Sequence, residues 1–372
     1  MERYLSIRSQ TALYIAVFII SIHHVFVYLT NSSTLRFIFD LKTTEVLSIY
    51  GVSSLFGLSI YMFLLRNNLT KNVMRNIYSS AFLELLCLIF MYYFSIHQNI
   101  YIFIFLFMTH HMITPYILFN LDILFENFTN VADRGKSRGI YLTVWNIPFV
   151  MVPLILSTLS INNISIVYTV SATLLLPFMY ILYSYIKNPD IIDNNTNNII
   201  EEKRSVTKIL SDFFRDKLDR KAFIIQSLSH LYYVILAVLL PIYLNKYFDF
   251  DWNKIGLIFA AMTIPFILIQ IPMGNIEDKK HNEKIIFRVG IFILILFSIL
   301  TLFINPNIGS DLSFILFVIF LFMAHIGSSL TEISTESLFY KHVNAKNHNA
   351  LLMFRATRIL PYIFGLIALF FI

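Results

Sequence analysis

Long apolar stretches alternate with shorter polar segments along the whole chain, and each apolar stretch is 18 to 23 residues long. A helix of that length, at about 1.5 Å rise per residue, crosses a hydrocarbon core of about 30 Å. The pattern predicts an all-α polytopic bundle with eleven spans: Ala12 to Leu29, Val46 to Leu65, Ile77 to Ser95, Ile100 to Asn120, Tyr141 to Leu159, Ile164 to Ile186, Ala222 to Leu244, Ile255 to Met273, Ile285 to Ile304, Ser313 to Leu330, and Leu351 to Ile372.

The first five spans recur in the second half after a shift of 210 residues. The same shift carries Asp122 and Glu126 onto Glu332 and Glu336. Repeats of this kind, lying side by side about an axis along the membrane normal, are typical of transporters whose substrate site falls between the halves. The repeat predicts a six-helix bundle over 1–186, a linker over 187–221, and a second bundle over 222–372 with five helices.

Composition and charge placement agree with a membrane protein. Apolar residues make up 57% of the chain and charged residues 13%, against roughly 25% charged in soluble domains. Of the 28 Lys and Arg residues, only Arg36, Lys42, Lys246 and Lys254 lie in one set of alternate loops. We expect a multi-pass protein of the cell (inner or plasma) membrane. By the positive-inside rule, its N-terminus and linker are expected on the cytoplasmic side. We expect no nucleic-acid partner, and the single Cys87 excludes an internal disulfide.

The linker contains a candidate amphipathic helix. Its apolar positions recur at helical spacing among charged residues: Val206, Ile209, Leu210, Phe213 and Leu218. A helix of this kind lies naturally on the inner membrane surface. The favoured role is that of a stiff connector between the bundles, with no regulatory function.

The organisation resembles the major facilitator superfamily: six helices, a long cytoplasmic loop, then more helices, with a short basic loop between the second and third helices of each half. Residues Pro272 to Lys280 are similar to that family's G-x-L-x-D-R/K loop, with Gly274, Asp278 and Lys279 at its key positions. The glycine permits close helix packing, and the acid and cation meet helix ends and charges at the cytoplasmic face. The first-half copy, Leu64 to Lys71, lacks both the glycine and the acid.

The resemblance implies a secondary active transporter that moves a small solute by alternating access, without a cofactor. The proton-driven drug antiporters of that family are expected to have an embedded Arg in the fourth span and a Gly-Pro-Gly run in the fifth. This chain has neither, so the resemblance to that subgroup is weaker. The substrate and the direction of transport are not readable from these residues. We expect a monomer in the lipid bilayer, and a truncated sequence whose complete form has a twelfth helix.

Polar residues inside apolar helices are costly and indicate function by default. Six histidines lie within spans that, in the resembled family, line the central cavity. With their polar neighbours they form the predicted substrate and proton cavity: His23, His24, Tyr28, His110, His111, Gln226, His230, Tyr233 and His325. Imidazole titrates near neutral pH, so one of these histidines is a candidate for a coupling proton. The alternative for each is a neutral histidine hydrogen-bonded to a neighbouring helix.

Charged residues at helix ends form a predicted cytoplasmic gate. Glu332 and Glu336 share a face of the tenth span, and Arg355 and Arg358 begin the next helix within their reach. The gate set is Asp122, Glu126, Gly274, Asp278, Lys279, Glu332, Glu336, Arg355 and Arg358. Ion pairs that latch the gate are favoured over substrate binding. Glu84, on the third span, is interpreted as a packed, hydrogen-bonded or protonated group, and the alternative is a cavity residue.

Two other classes of protein remain open. A polytopic membrane enzyme would use clustered histidines for a metal or for group transfer, but the chain has no His-Glu-x-x-His, no Gly-x-Ser-x-Gly and no nucleotide-binding glycine loop. We therefore expect no enzymatic activity. A non-transporting receptor or sensor on the same scaffold is the second alternative.

Overall fold

The computed structural model describes residues 2–67, 72–129, 134–157, 165–186, 205–280, 282–343 and 347–363, and these contain helices but no strand. The predicted linker residues 187–204 and the end of the predicted eleventh span, 364–372, lie outside the described residues. The helices are α1 (Glu2–Ser33), α2 (Thr43–Asn67), α3 (Val73–Ile96), α4 (Ile100–Asn127), α5 (Arg134–Ser157), α6 (Ile166–Tyr185), α7 (Val206–Arg215), α8 (Lys217–Phe248), α9 (Trp252–Lys280), α10 (Glu283–Thr301), α11 (Ser310–His342) and α12 (His348–Ala356).

Ten of the described helices are long and apolar enough to cross a membrane, which confirms the first ten predicted spans. The sequence repeat is visible in their starting points: α3 begins at Val73 and α10 at Glu283, while α4 begins at Ile100 and α11 at Ser310. Both pairs differ by 210 residues. The eleventh span stays a prediction, since only its beginning, as α12, is described.

Several helices continue well past their apolar stretches. The apolar stretch of α4 ends near Asn120, but the helix continues to Asn127. The predicted span in α11 ends at Leu330, but the helix continues to His342. Helical hydrogen bonds satisfy the backbone within the helix, so a helix need not end where its sequence becomes polar. The acidic gate residues lie on these extensions.

The described residues form two compact units. The first takes the described parts of Met1–Thr129, Asn162–Leu231 and His342–Ile372, and in it α1 lies against α6, α3 packs against α4 and α6, and α2 packs against α4. The second takes Asn130–Ile161 and Tyr232–Lys341, and in it α5 runs along α9. These units follow packing, whereas the boundaries predicted at 186 and 222 follow the duplication. Those boundaries remain a prediction.

Glycines explain why α5 and α9 pack so closely. A Cβ atom added at Gly274 would overlap the carbonyl oxygen of Gly135, and one added at Gly139 would overlap the carbonyl oxygen of Gln270. Only glycine lets the two backbones approach to this distance. The predicted packing role of Gly274 is therefore visible in its contacts.

The amphipathic linker helix is present as α7. Ser205 is its N-cap and accepts a hydrogen bond from the Lys208 backbone N–H at 3.3 Å. Ile209 and Phe213 are buried, and α7 contacts α2 and α12 within the first unit. Protein thus covers these two apolar side chains, and the position of the helix on the membrane surface stays a prediction.

Candidate functional site

Two of the predicted histidines meet at Glu84, which is fully buried on α3. His110 Nδ1 makes a short hydrogen bond to Glu84 Oε1, and the Thr114 hydroxyl donates to the same oxygen at 3.3 Å. His23 Nε2 lies 3.6 Å from Glu84 Oε1, and His23 Nδ1 lies 3.1 Å from the Ser171 carbonyl oxygen. We call Glu84, His23 and His110 the buried triad. Glu84 thus forms hydrogen bonds with His110 and Thr114 and lies beside His23, and both histidines are predicted cavity residues.

The histidines next to these in sequence contact aromatic rings instead. His24 is half-buried and stacks on Tyr28 with ring centroids 5.5 Å apart. His111, also half-buried, stacks on Phe107 at 5.6 Å and meets the edge of Tyr362 at 5.2 Å. Adjacent residues on a helix point about 100° apart, so each His-His pair divides between a triad member and an aromatic contact.

On α8, Gln226 and His230 are separated by one helical turn. Gln226 is buried, and its amide atoms make no hydrogen bond to the described residues. His230 is half-buried. A buried amide without partners is unusual in a folded protein, and it makes Gln226 a suitable position for contact with a polar solute.

In the second unit, Tyr233 and His325 lie on either side of Phe266. The Tyr233 and Ser328 hydroxyls form a hydrogen bond of 2.8 Å, and His325 Nδ1 donates to the Leu321 carbonyl at 2.8 Å. The Phe266 ring lies 6.0 Å from Tyr233 and 5.6 Å from His325. The Leu321 bond is a local one within α11, so the His325 ring is held in place by its own helix.

Two buried ion pairs involve gate residues. Arg355 on α12 contacts both carboxylate oxygens of Asp122 on α4, with Nη2 donating to Oδ1 at 2.8 Å. Arg138 on α5 lies 3.8 Å from Glu336 on α11, and its guanidinium stacks on the Tyr340 ring at 3.5 Å. All four charged side chains are almost completely buried. Since α4 corresponds to α11 and α5 to α12 in the repeat, each pair joins an acidic helix to the basic helix of the other sequence half.

These two ion pairs give partners for three residues of the predicted gate, Asp122, Glu336 and Arg355. The sequence placed Arg355 within reach of Glu332 or Glu336, which stays a prediction, and within the first unit Arg355 contacts Asp122. Glu332 accepts a hydrogen bond from Gln270 Nε2 at 2.9 Å, and Gln270 Oε1 accepts one from Asn146 at 3.3 Å. The remaining gate residues are Glu126, which is buried, and Arg358, which is half-buried.

Asp278 caps a helix other than its own. Its carboxylate accepts hydrogen bonds from the backbone N–H groups of Gly135, at 3.0 Å, and Lys136, at 2.7 Å, at the start of α5. A carboxylate is stabilised at a helix N-terminus by the unpaired N–H groups and the helix dipole. Lys341 bridges Asp278 and Glu283, at 2.9 Å from each. Lys279 is exposed.

Sequence reasoning missed several members of these clusters: Arg138, Asn146, Gln270, Lys341 and Tyr340. Arg138 lies one turn inside α5, although the sequence began the fifth span only at Tyr141. Gln270 carried a weak signal, as a polar residue in an apolar stretch. Their partners are far away in sequence, so the pairing itself could not be read.

Comparisons with known proteins agree on one family. A family model described as Major Facilitator Superfamily matches residues 75–366. A curated relative, an uncharacterized MFS-type transporter of Methanocaldococcus jannaschii, is 25% identical over 162 residues, which cover 44% of this chain. That match spans 39% of the relative's own length.

Solved transporters share the fold at low sequence identity. A POT family transporter in complex with 5-aminolevulinic acid has a TM-score of 0.72 at 12% identity, covering 97% of this chain and 90% of its own. A nucleoside transporter has a TM-score of 0.69 at 11% identity, covering 97% and 90%. A proton:xylose symporter has a TM-score of 0.68 at 8% identity, covering 98% and 88%.

Proposed function

The chain belongs to the major facilitator superfamily, and from that premise we propose that it is a proton-coupled secondary active transporter of a small solute, working by alternating access. By their descriptions, the structural neighbours named above are a POT family transporter in complex with 5-aminolevulinic acid, a nucleoside transporter and a proton:xylose symporter, so the shared fold favours no substrate class. The proposal therefore rests on the polar groups of this chain.

One observation carries the alternating-access part: two buried ion pairs join helices that correspond in the repeat, α4 with α12 and α11 with α5, although the shift of 210 residues carries Asp122 onto Glu332 and not onto Glu336. Asp122 with Arg355 and Glu336 with Arg138 each connect helices from different halves of the sequence. Buried pairs are discrete, strong contacts that are either made or broken, which suits a two-state element. We propose that both pairs latch the cytoplasmic side and separate when that side opens.

A third contact belongs to the same proposed latch. Asp278 holds the N-terminus of α5 through two backbone hydrogen bonds, and Lys341 neutralises part of its charge. Releasing α5 from α9 would expose the Asp278 carboxylate and the first N–H groups of α5 together. Water can hydrate both, so this contact is suited to repeated opening.

Proton coupling is supported by the buried histidines and carboxylates. Imidazole exchanges protons near neutral pH, and a carboxylate beside it gives the proton a second acceptor. If His24, His110 or His325 carries the coupling proton, its replacement abolishes uphill accumulation but leaves substrate counterflow largely intact, since only the coupling ion is lost. Unchanged pH dependence in all three single replacements would remove these histidines from the mechanism.

The substrate must be found before transport is measured. A thermal-shift screen over sugars, amino acids, peptides, nucleosides and lipophilic cations reports binding, because a ligand specific for the folded state raises its apparent stability. Hits are then tested in proteoliposomes with and without an imposed pH gradient. Accumulation driven by the gradient supports the proposal. A ligand that binds but is neither accumulated nor released in exchange would favour a receptor or sensor.

A further inference from the structure

The buried triad fixes the tautomer of His23. The Ser171 carbonyl oxygen, 3.1 Å from His23 Nδ1, can only accept a hydrogen bond, so Nδ1 must carry a hydrogen and donate it. The other ring nitrogen, Nε2, then either holds a lone pair or carries an additional proton. It faces Glu84 Oε1 at 3.6 Å and has no hydrogen-bond partner among the described residues.

A proton is missing from this arrangement when His23 is neutral. The Nε2 lone pair would then face a carboxylate oxygen, and two acceptors repel each other. The His110 contact differs, because neutral His110 can donate its own Nδ1 hydrogen to Glu84. The triad without an extra proton therefore carries one negative charge in a buried place, and one added proton makes it neutral. Burial favours the neutral state.

We propose that Glu84, His23 and His110 form a proton-binding site that takes up a single proton between His23 Nε2 and Glu84. In this site His110 and Thr114 hold the carboxylate in position, and the Ser171 carbonyl directs His23 Nε2 toward it. As a coupling site the triad rests on the function proposed above, but proton binding itself needs no transported solute. His325 lacks the second acceptor, since its described contacts are the Leu321 carbonyl and aromatic rings.

Other titratable groups lie near the triad on the helices that pack around it. These are His24 beside His23 on α1, Cys87 one turn from Glu84 on α3, and His111 beside His110 on α4. From α6 the contact is the Ser171 backbone carbonyl. Because Cys87 donates to the Leu106 carbonyl at 3.1 Å, it is occupied away from the carboxylate.

The test counts protons on the purified protein in lipid nanodiscs, by titration between about pH 5 and 8, where imidazole groups exchange. Glu84→Gln removes the carboxylate, while His23→Asn keeps a nitrogen near Nδ1 for the Ser171 carbonyl and removes Nε2. Glu84→Gln should bind one proton fewer per molecule than the wild type, whereas His23→Asn leaves the Glu84 carboxylate as the acceptor and should take up that proton at a different pH. The double variant should lose the same single proton, because both changes remove one shared position. Cys87→Ala, on the same helix, should keep the wild-type count.

Two results would overturn the site. If Glu84→Gln titrates like the wild type, Glu84 holds no exchangeable proton and has a structural role, even where its thermal stability falls. If the double variant loses two protons, His23 and Glu84 titrate independently. Should Glu84→Gln fail to fold, His23→Asn alone decides, with nitrogen-15 NMR of labelled histidine showing whether Nε2 of wild-type His23 gains a proton in this range. No solute is present, so failure of proton-coupled transport would leave the proton count unchanged and remain a separate result.

Discussion

Arg355 and Asp122 lie 233 residues apart in the chain, yet the guanidinium contacts both oxygens of the carboxylate inside the first unit. Arginine suits this place because its planar fork matches a carboxylate at two points and stays charged at every relevant pH. Both side chains are buried, so neither charge has much access to water.

Removing one partner of this ion pair should destabilise the folded protein strongly. Asp122→Asn removes the buried carboxylate charge that Arg355 contacts, and we expect a loss of about 3–5 kcal/mol in stability. The double variant Asp122→Asn/Arg355→Gln should lose less than the sum of the single variants. Thermal unfolding in detergent measures this, with Asp311→Asn as control: Asp311 pairs with Lys254 at an exposed site, where about 1 kcal/mol or less is expected. Additive losses would show that the two side chains do not depend on each other.

Gly274 should tolerate no side chain. Gly274→Ala places a methyl group against the Gly135 carbonyl oxygen, and we expect a destabilisation of about 1–3 kcal/mol from overpacking. Gly57 is the matched control, because a Cβ there would lie at an ordinary 3.5 Å from the Ile359 side chain. Gly57→Ala should be neutral or gain up to about 1 kcal/mol from helix propensity. Equal melting temperatures for the two variants would contradict the close packing of α5 on α9.

The helices themselves were predictable, and the partners of the charged residues were not. Apolar length located ten spans, because a hydrocarbon layer sets the length of a helix. The four-residue spacing of Glu332 and Glu336 placed them on one face of α11, as periodicity allows. The spacing could not predict that Glu336 contacts Arg138 or that Arg355 contacts Asp122, because such contacts depend on how helices that are distant in sequence pack together. For Glu84 the sequence left packed, protonated, hydrogen-bonded and cavity roles open, and its position beside His23 and His110 needed coordinates.

The contacts of Asp216 predict that the protein loses stability in acid. Its carboxylate accepts hydrogen bonds from the backbone N–H groups of Asp219 and Leu218, and it lies 3.2 Å from His342 Nε2. These contacts lower the pKa of Asp216 below its usual range. The hydrogen bond from the Asp219 N–H contributes most, followed by the hydrogen bond from the Leu218 N–H and the contact with His342. A lowered folded-state pKa adds stability that is present above about pH 3.9, the unfolded value, and is lost as pH falls through the folded value.

The Asp216 effect can be isolated with asparagine, which is also a good N-cap and keeps the backbone hydrogen bonds. Asp216→Asn should melt slightly below the wild type at neutral pH, and the difference should shrink as pH falls below about 4. The exposed Asp311→Asn serves as the control. A difference that stays constant down to pH 3 would mean that the Asp216 charge contributes nothing.

The orientation in the membrane can be tested at the two ends of α9. This helix runs 29 residues from Trp252 to Lys280, which at about 1.5 Å per residue exceeds a hydrocarbon core of about 30 Å. Because most Lys and Arg residues lie in the set of loops that includes Lys279, that end should be cytoplasmic. In a Cys87→Ala background, an impermeant maleimide applied to intact cells should label Asn253→Cys but not Lys279→Cys. Both positions are exposed, so both should react once the cells are permeabilised, and labelling of Lys279→Cys from outside would reverse the proposed topology.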